Sequence, residues 1–256
     1  LFLNLHLWVG LATALLVLLL SVTGTLLVFE NEIDRTLNPK LLTVAPQPVN
    51  LPLATLLDSA RKAFAGRPIL NIGINPRPDV AWQLIVAGKQ VSFAYIDPHT
   101  GHVTGSRTRD ASFAFKIHQL HTNLLQGKKG KKVVGYGTVC LLFLMLTGLV
   151  LWWKRKLFTM ATAAAWLRMN FDLHHISGIY PALFLFVIVG TGLLISFPDA
   201  LYPAVEKFTG TTQKALPDEA PVSTPQKGAP TISPDSALVI GQRQLPGAQP
   251  TFVGLP

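Results

Sequence analysis

Long apolar runs dominate the sequence and predict helices that cross a membrane. Residues 5–29, 133–153 and 176–197 contain no Asp, Glu, Lys or Arg. A helix that spans a bilayer needs about 20 consecutive apolar residues, and each run meets this length. The first run has no basic start and no small-residue cleavage site, so we interpret it as a span and not as a signal peptide. The second ends in Trp152-Trp153-Lys154, an aromatic belt followed by basic residues.

The polar region between the first two runs, residues 31–116, predicts a small α+β domain. Its predicted elements are a helix at 53–64, strands near 69–74, 81–86 and 90–96, and a short strand from residue 102. The segment from Asp97 to Gly101 predicts a turn, since Pro98 presets φ and Gly101 accepts a positive φ. We interpret His99 and His102 as parts of this hairpin, and a surface metal site is the alternative.

The sequence also contains an internal repeat, which indicates a duplicated architecture. At a constant offset of 168, as from His6 to His174, the matching residues are Leu5-His6, Gly10, Thr23-Gly24 and Phe29 with Leu173-His174, Gly178, Thr191-Gly192 and Phe197. A Pro- and Thr-rich linker, about residues 209–234, precedes a second helix-then-strand pattern at 235–245 and 250–255. There Phe64, Gly66, Ile72 and Gly73 recur at an offset of 181 as Leu245, Gly247, Val253 and Gly254.

This repeat predicts the fold class: a membrane α-helical protein built from duplicated pairs of transmembrane helices, with small α+β extramembrane domains. Each copy would consist of a span, a small domain and a second span. We therefore expect a fourth span beyond Pro256, and we interpret the chain as a fragment.

Composition supports a membrane protein and excludes several other classes. Hydrophobic residues make up 49% of the chain and charged residues 14%, against about 25% charged in soluble domains. The net charge of +9 does not indicate nucleic-acid binding, because the basic residues collect at the edges of apolar runs, where lipid headgroups or an anionic ligand would lie. The single cysteine, Cys140, and the lack of a C-x-x-C-H motif exclude covalent c-type haem.

The repeated histidines are candidate haem ligands. His6 and Gly24 are 18 residues apart, about five helical turns, so they share one face with Gly10. The same spacing places His174, Gly178 and Gly192 on one face of the third span. The two histidines should then lie at one membrane depth and bind an iron from opposite sides, while the glycines leave room for the macrocycle. Such bis-imidazole ligation is typical of b-type haem in electron transfer.

Two alternatives to this ligand assignment remain open. The glycines could serve close helix packing, with the histidines as polar helix ends. His175, about 100° around the helix from His174, could replace it as the ligand if the register differs.

His118 and His121 form a second candidate set. They are three residues apart, hence on one helix face, and they precede the second span, on the side of the membrane opposite His6. They predict a second ligand pair across the bilayer; an interfacial amphipathic helix with incidental histidines is the alternative.

These motifs together resemble the PepSY-associated transmembrane family. The resemblance rests on residues 5–11 and Thr23-Gly24, the 96–101 turn, residues 118–127, and the stretch from Thr147-Gly148 to Trp152. Family members are bacterial inner-membrane proteins often linked to iron uptake, and they include a haem-containing ferric-siderophore (ferrioxamine) reductase. The resemblance implies a multi-pass inner-membrane protein with periplasmic PepSY domains and cytoplasmic ends at His6 and His174.

The resemblance also implies two haems b, with ligands at His6, His121 or His118, and His174 or His175. The implied division is transmembrane helix 1 at 1–30, a PepSY-like domain at 31–116, an interfacial helix and transmembrane helix 2 at 117–156, a cytoplasmic loop at 157–172, transmembrane helix 3 at 173–200, and a linker with a truncated second PepSY-like domain at 201–256.

We therefore predict a transmembrane electron conduit. An electron would enter near His6 and His174 and leave near His118 and His121, where it would reduce Fe(III) in a siderophore. No nucleotide-binding motif is present, so the donor would be a quinone or a reductase partner. The alternatives are a non-enzymatic, membrane-anchored PepSY module that binds a periplasmic partner, and a proton-coupled transporter with a histidine relay.

Overall fold

The computed structural model describes residues 1–154, 165–211 and 232–255. The described residues of 1–26 and 118–219 form one compact unit, here called the helical unit. Those of 27–117 and 220–256 form the other, here called the sheet unit. Most of the predicted 209–234 linker, and the first part of the predicted 157–172 loop, lie outside the described residues.

Ten α-helices and five strands occur in the described parts of the chain. The helices are α1 (Phe2–Val28), α2 (Glu30–Leu37), α3 (Pro39–Leu42), α4 (Leu53–Ala63), α5 (Phe113–Asn123), α6 (Gly127–Trp153), α7 (Trp166–Ile179), α8 (Ala182–Ser196), α9 (Pro198–Thr209) and α10 (Pro234–Gln244). The strands are β1 (Ile69–Gly73), β2 (Trp82–Val86), β3 (Ser92–Ile96), β4 (Val103–Thr108) and β5 (Phe252–Gly254).

Helices α1 and α6 confirm the first two predicted spans. Each has 27 residues and is apolar enough to cross a membrane, and 27 residues rise about 40 Å along a helix. Neither contains proline, and their threonine hydroxyls donate to carbonyls one turn back, as Thr138 does to Val134. This bonding satisfies polar groups where no water is present. Helix α6 begins at Gly127, earlier than predicted, so the lysine-rich stretch 128–132 is helical.

The third predicted span is broken, which corrects the prediction of one straight helix. Helices α7 and α8 meet at an angle of 64°, and together they could form a third span. Pro181 lies at the break, where its ring and missing N–H prevent continuation of the helix. His174 and Gly178 therefore share one face of α7, whereas Gly192 lies on α8, so the prediction that all three share one helix face is wrong for Gly192.

Small residues mediate the close contact between α1 and α6. An added Cβ at Gly137 would clash with the Leu16 side chain, and one at Gly10 would lie 3.8 Å from Leu144 Cδ2. Glycine permits such close backbone approach in membrane helices, where dispersion contacts and hydrogen bonds drive association. The large apolar side chains face outward, as Leu15 does at 80% exposure.

The sheet unit confirms the predicted helix, strands and turn of the polar region. Its five strands are all antiparallel in the order β4-β3-β2-β1-β5. Helix α4 covers one face of the sheet, and the fully buried side chains there include Leu56, Leu57, Ile72 and Leu84. Alternate positions of β2 are buried, as expected for a strand with one face on the core.

The second helix-then-strand pattern is also observed, as α10 and β5, and both belong to the same sheet unit. Strand β5 pairs antiparallel with β1, and Ile72 lies opposite Val253, the residue that the offset of 181 equates with it. The Asp235 carboxylate accepts hydrogen bonds from the amides of Leu53 (2.6 Å) and Ala54 (3.0 Å) at the start of α4. The segment predicted to begin a second domain thus completes the first sheet.

Candidate functional site

His6 and His174, the two histidines equated by the repeat, face each other in the helical unit. His6 lies in the second turn of α1, and His174 lies on α7. Their ring centroids are 6.0 Å apart and the rings are inclined by 74°. The structure therefore brings together the pair that the sequence repeat selected.

A cavity of about 650 Å³ lies beside both rings. Helices α1, α6, α7 and α8 form its walls, and its volume falls within the range of about 300–1,000 Å³ typical of ligand sites. The lining is mainly apolar and includes Leu7, Leu11, Leu144, Met145, Leu149, Trp152, Ile179, Leu185 and Phe186. Within it, His6, His174 and His175 supply the imidazoles.

The spacing of the two rings fits bis-imidazole ligation of one metal. An imidazole nitrogen binds a metal at about 2 Å and the ring centroid lies about 1 Å farther out, so two ligands on opposite sides have centroids about 6 Å apart. The observed separation is 6.0 Å. The 74° inclination is compatible with this arrangement, because each ring can rotate about its own metal–nitrogen bond.

The remaining lining also fits a planar macrocycle. Gly10 and Gly178 both line the cavity, and a Cβ added at Gly178 would have nothing within 4 Å. The described residues contain no group of three or more His, Cys, Asp or Glu that could hold a bare metal ion. A haem iron requires only axial ligands from the protein, so two imidazoles suffice.

His175 also lines this cavity, so the structure leaves both histidines of α7 as candidates. Its ring stacks on Phe171 with centroids 4.3 Å apart, whereas His174 is the one whose ring faces His6. Next to them Asp172 is only 1% exposed, and its carboxylate accepts a charged contact from Arg168 Nε at 2.8 Å. Sequence reasoning missed this ion pair, although its i, i+4 spacing is the usual signal.

His121 lies beside the opposite end of α1. Its Nδ1 is 2.9 Å from Thr23 Oγ1, and its Cε1 would lie 3.2 Å from a Cβ on Gly24. Burial lowers the pKa of His121, and the nearby His118 lowers it further, while a hydrogen bond to the backbone of Leu20 acts against both. His118 is exposed, so of the two candidates on α5 it is His121 that packs against α1.

His6 makes the same kind of contact at its own end of α1. Its Nδ1 is 2.8 Å from Thr147 Oγ1 on α6, and its Cε1 would lie 3.3 Å from a Cβ on Gly148. Sequence reasoning did not select Thr23, Thr147 or Gly148 as site residues. The signal was present, since Thr-Gly occurs at 23–24, 147–148 and 191–192.

Gly24 and Gly192 do not line the cavity that was predicted to need them. Gly24 makes room for His121, and a Cβ on Gly192 would meet Thr138 Cγ2 on α6 at 3.5 Å. Both glycines lie at helix contacts, which favours the close-packing alternative for these two positions.

His99 is a structural residue of the sheet unit, as the hairpin interpretation predicted. Its Nδ1 and Nε2 lie 3.0 Å and 2.8 Å from the carbonyl oxygens of Val49 and Pro78, and these bonds raise the pKa of His99. Carbonyl oxygens only accept, so both ring nitrogens carry protons when both bonds form. His102 is exposed.

The length and apolar composition of α1 and α6 define a membrane-associated protein with at least two candidate spans. The family model of the PepSY-associated TM region matches residues 3–253. The chain therefore belongs to this family. No curated protein sequence matches it.

Proposed function

We propose that this protein is a b-type haem transmembrane electron-transfer protein. The observation that carries the proposal is the His6–His174 pair, 6.0 Å apart and beside an apolar cavity of about 650 Å³. A haem bound there would accept and release one electron at a time. His6 would provide one axial imidazole, and His174, or His175 in its place, would provide the other.

The cavity walls would tune such a group as well as hold it. Apolar side chains from four helices line the cavity, and burial is one of the factors that set a haem potential. Two imidazole ligands, from His6 and from His174 or His175, would leave no coordination site open for oxygen, which favours electron transfer over oxygen chemistry.

A second haem, held at the other end of α1, would carry the electron across the bilayer. His6 and Thr23, the contact residue of His121, are 17 positions apart, about 25 Å along a helix. We propose His121 as a ligand of a second haem b, with His118 as the alternative.

The proposed overall reaction is the reduction of a ferric siderophore in the periplasm. One electron converts Fe(III) to Fe(II), which oxygen-rich chelators bind weakly, so the iron is released. The electron would come from a quinone or a reductase partner. This proposal includes a bacterial inner-membrane location, duplicated pairs of spans, and a sheet unit on the periplasmic side.

A non-enzymatic anchored module is the second candidate, and one observation favours it. His6–Thr147 and His121–Thr23 each link two helices by a hydrogen bond, which purely structural histidines would also do. The module would then bind a periplasmic partner through its sheet unit. The structure favours a histidine relay for protons less, because His6 and His121 lie at opposite ends of α1.

Pigment analysis of the purified full chain separates these candidates. We expect a red protein, a Soret band that shifts on reduction with dithionite, and a b-type pyridine haemochrome. His6→Ala should remove one haem, and His99→Ala, a matched histidine in the sheet unit, should remove none. A folded, colourless protein after expression with ample haem would exclude the electron-transfer proposal and leave the anchored module.

Substrate reduction is a separate test. Reduced protein mixed with a ferric hydroxamate siderophore should be reoxidised, and Fe(II) should appear on a ferrous chelator in proportion to the haem oxidised. A haem protein that stays reduced under these conditions would retain the electron-transfer function but exclude this substrate.

A further inference from the structure

His6 and His121 make the same two contacts in two different places. In each, Nδ1 meets a threonine hydroxyl and Cε1 lies against the glycine that follows, at Thr147-Gly148 for His6 and at Thr23-Gly24 for His121. We call each a Thr–Gly pair. A side chain on either glycine would crowd the imidazole, since the added Cβ would lie 3.3 Å or 3.2 Å from Cε1.

The hydrogen bonds of the threonines determine which partner donates. The Thr147 hydroxyl donates to the Phe143 carbonyl at 2.9 Å, and the Thr23 hydroxyl donates to the Leu19 carbonyl at 2.7 Å. A hydroxyl has one proton, so each Oγ1 has only lone pairs left for the imidazole. Both threonines are buried, at 4% and 2% exposure. While the hydroxyl protons are donated to these carbonyls, the Nδ1 of each histidine acts as the donor.

We propose that Thr147 and Thr23 are positioning residues that hold His6 and His121 in the Nδ1–H tautomer. A neutral imidazole with its proton on Nδ1 has its lone pair on Nε2, which becomes the metal-binding atom. Metal-bound histidines generally donate their other ring N–H to a fixed acceptor, which sets the ring orientation and raises ligand basicity. The haem part of this inference rests on the proposed function, whereas the tautomer part does not.

The third Thr–Gly pair, Thr191-Gly192 on α8, is an internal control. Its hydroxyl makes the same bonds within its own helix, at 3.0 Å to both Val187 and Ile188 carbonyls. In the part of the chain that the structure describes, no histidine bonds to Thr191. Thr191→Val therefore replaces the same hydroxyl by a methyl group on α8 without affecting a histidine.

The tautomer can be measured on haem-free full-length protein in nanodiscs. With ¹⁵N-labelled histidine, the His6 and His121 signals are assigned by their loss in His6→Ala and His121→Ala. We expect wild type to show protonated Nδ1 and unprotonated Nε2 at both. Thr147→Val should add Nε2–H signal at His6 only, Thr23→Val at His121 only, and Thr191→Val at neither, while Thr147→Ser should restore the wild-type pattern.

Haem affinity and midpoint potential give an independent measurement. Thr147→Val should weaken haem binding at the His6 site on the order of 10- to 100-fold and shift its midpoint potential upward, because a weaker donor ligand stabilises Fe(III) less. Thr147→Ser should restore both.

Unchanged tautomers in Thr147→Val and Thr23→Val would overturn the positioning role, whatever the haem result. Wild-type tautomers as predicted in a protein that never binds haem would retain the positioning role and refute the proposed function instead. If the threonine variants change the histidine tautomers but leave haem affinity and midpoint potential at wild-type values, the Thr–His hydrogen bond does not act on a haem ligand.

Discussion

The two units of this protein have opposite interiors. In the sheet unit the fully buried side chains include Leu56, Leu57 and Leu84. In the helical unit the buried positions include Thr23 and Thr147, and large apolar side chains face outward. Apolar surface gains nothing by leaving lipid, so membrane helices associate through small residues and hydrogen bonds. This difference explains why side chains such as Thr23 and Thr147 occupy the interior of the helical unit.

The largest expected effect distinguishes the two interiors directly. Leu84→Ala should destabilise the sheet unit by about 2–5 kcal/mol, since it leaves a cavity in a close-packed core. Leu15→Ala, on the outer face of α1, should change the stability of the helical unit by no more than about 0.5 kcal/mol. Hydrogen exchange of the full chain in nanodiscs reports each unit separately. Equal losses in the two variants would contradict the comparison.

Overpacking a small position should have the next largest effect, this time in the helical unit. Gly137→Leu should cost about 1–3 kcal/mol, because Leu16 occupies the space that the new side chain needs. Gly190→Leu on α8 is the matched control, since an added Cβ there has nothing within 4 Å. Thermal unfolding of the two variants measures the difference. A Gly137 variant as stable as the Gly190 variant would mean that α1 and α6 do not pack closely at this point.

Removal of a helix cap should have a smaller effect, confined to the sheet unit. Asp235→Ala leaves the amides of Leu53 and Ala54 without their carboxylate acceptor, which should cost about 1 kcal/mol. Hydrogen exchange at the start of α4 should speed up accordingly. Asp58→Ala, with 65% side-chain exposure, controls for the loss of a negative charge. No change in Asp235→Ala would argue that α10 does not dock on α4.

The smallest expected effect is a dependence on pH in the sheet unit. The Pro78 and Val49 carbonyls raise the folded-state pKa of His99 above its ordinary value. The stabilisation is therefore complete below the unfolded-state pKa, about 6.5, and is lost as the pH rises through the folded-state pKa. Hydrogen exchange should show the sheet unit weakening over this range in wild type and a smaller slope in His99→Gln. An equal slope would assign the effect to another group.

The sequence predicted the sheet unit well for a local reason. Alternating apolar residues, Pro98 and Gly101 encode strands and a turn through short-range chemistry, and the strands appear where expected. It did not predict the short helices α2 and α3, which lack a long apolar period. In the helical unit, apolar length predicted α1 and α6 correctly. The third span was predicted as one straight helix because hydropathy does not indicate the bend, which lies at Pro181.

The candidate site was partly predictable in the same sense. The repeat selected His6 and His174, because copied helices carry histidines at matching positions, and the structure brings their rings together. It could not select Thr147 as the partner of His6, since the two lie 141 positions apart. Gly24 and Gly192 lie away from the cavity beside these rings, which the sequence did not predict because a helix-face argument gives a direction and does not identify the neighbour that lies there.

The sequence by itself determined that this chain enters a membrane, carries a small α+β unit and repeats a histidine at matched helix positions. These properties follow from the composition, from the spacing of apolar residues and from the internal repeat. The bend between α7 and α8 is local to Pro181, but only the tertiary structure decided that β5 pairs with β1 and that a threonine on one helix meets a histidine on another. Those contacts join residues far apart in the chain, and their free energy depends on how helices and strands pack in three dimensions.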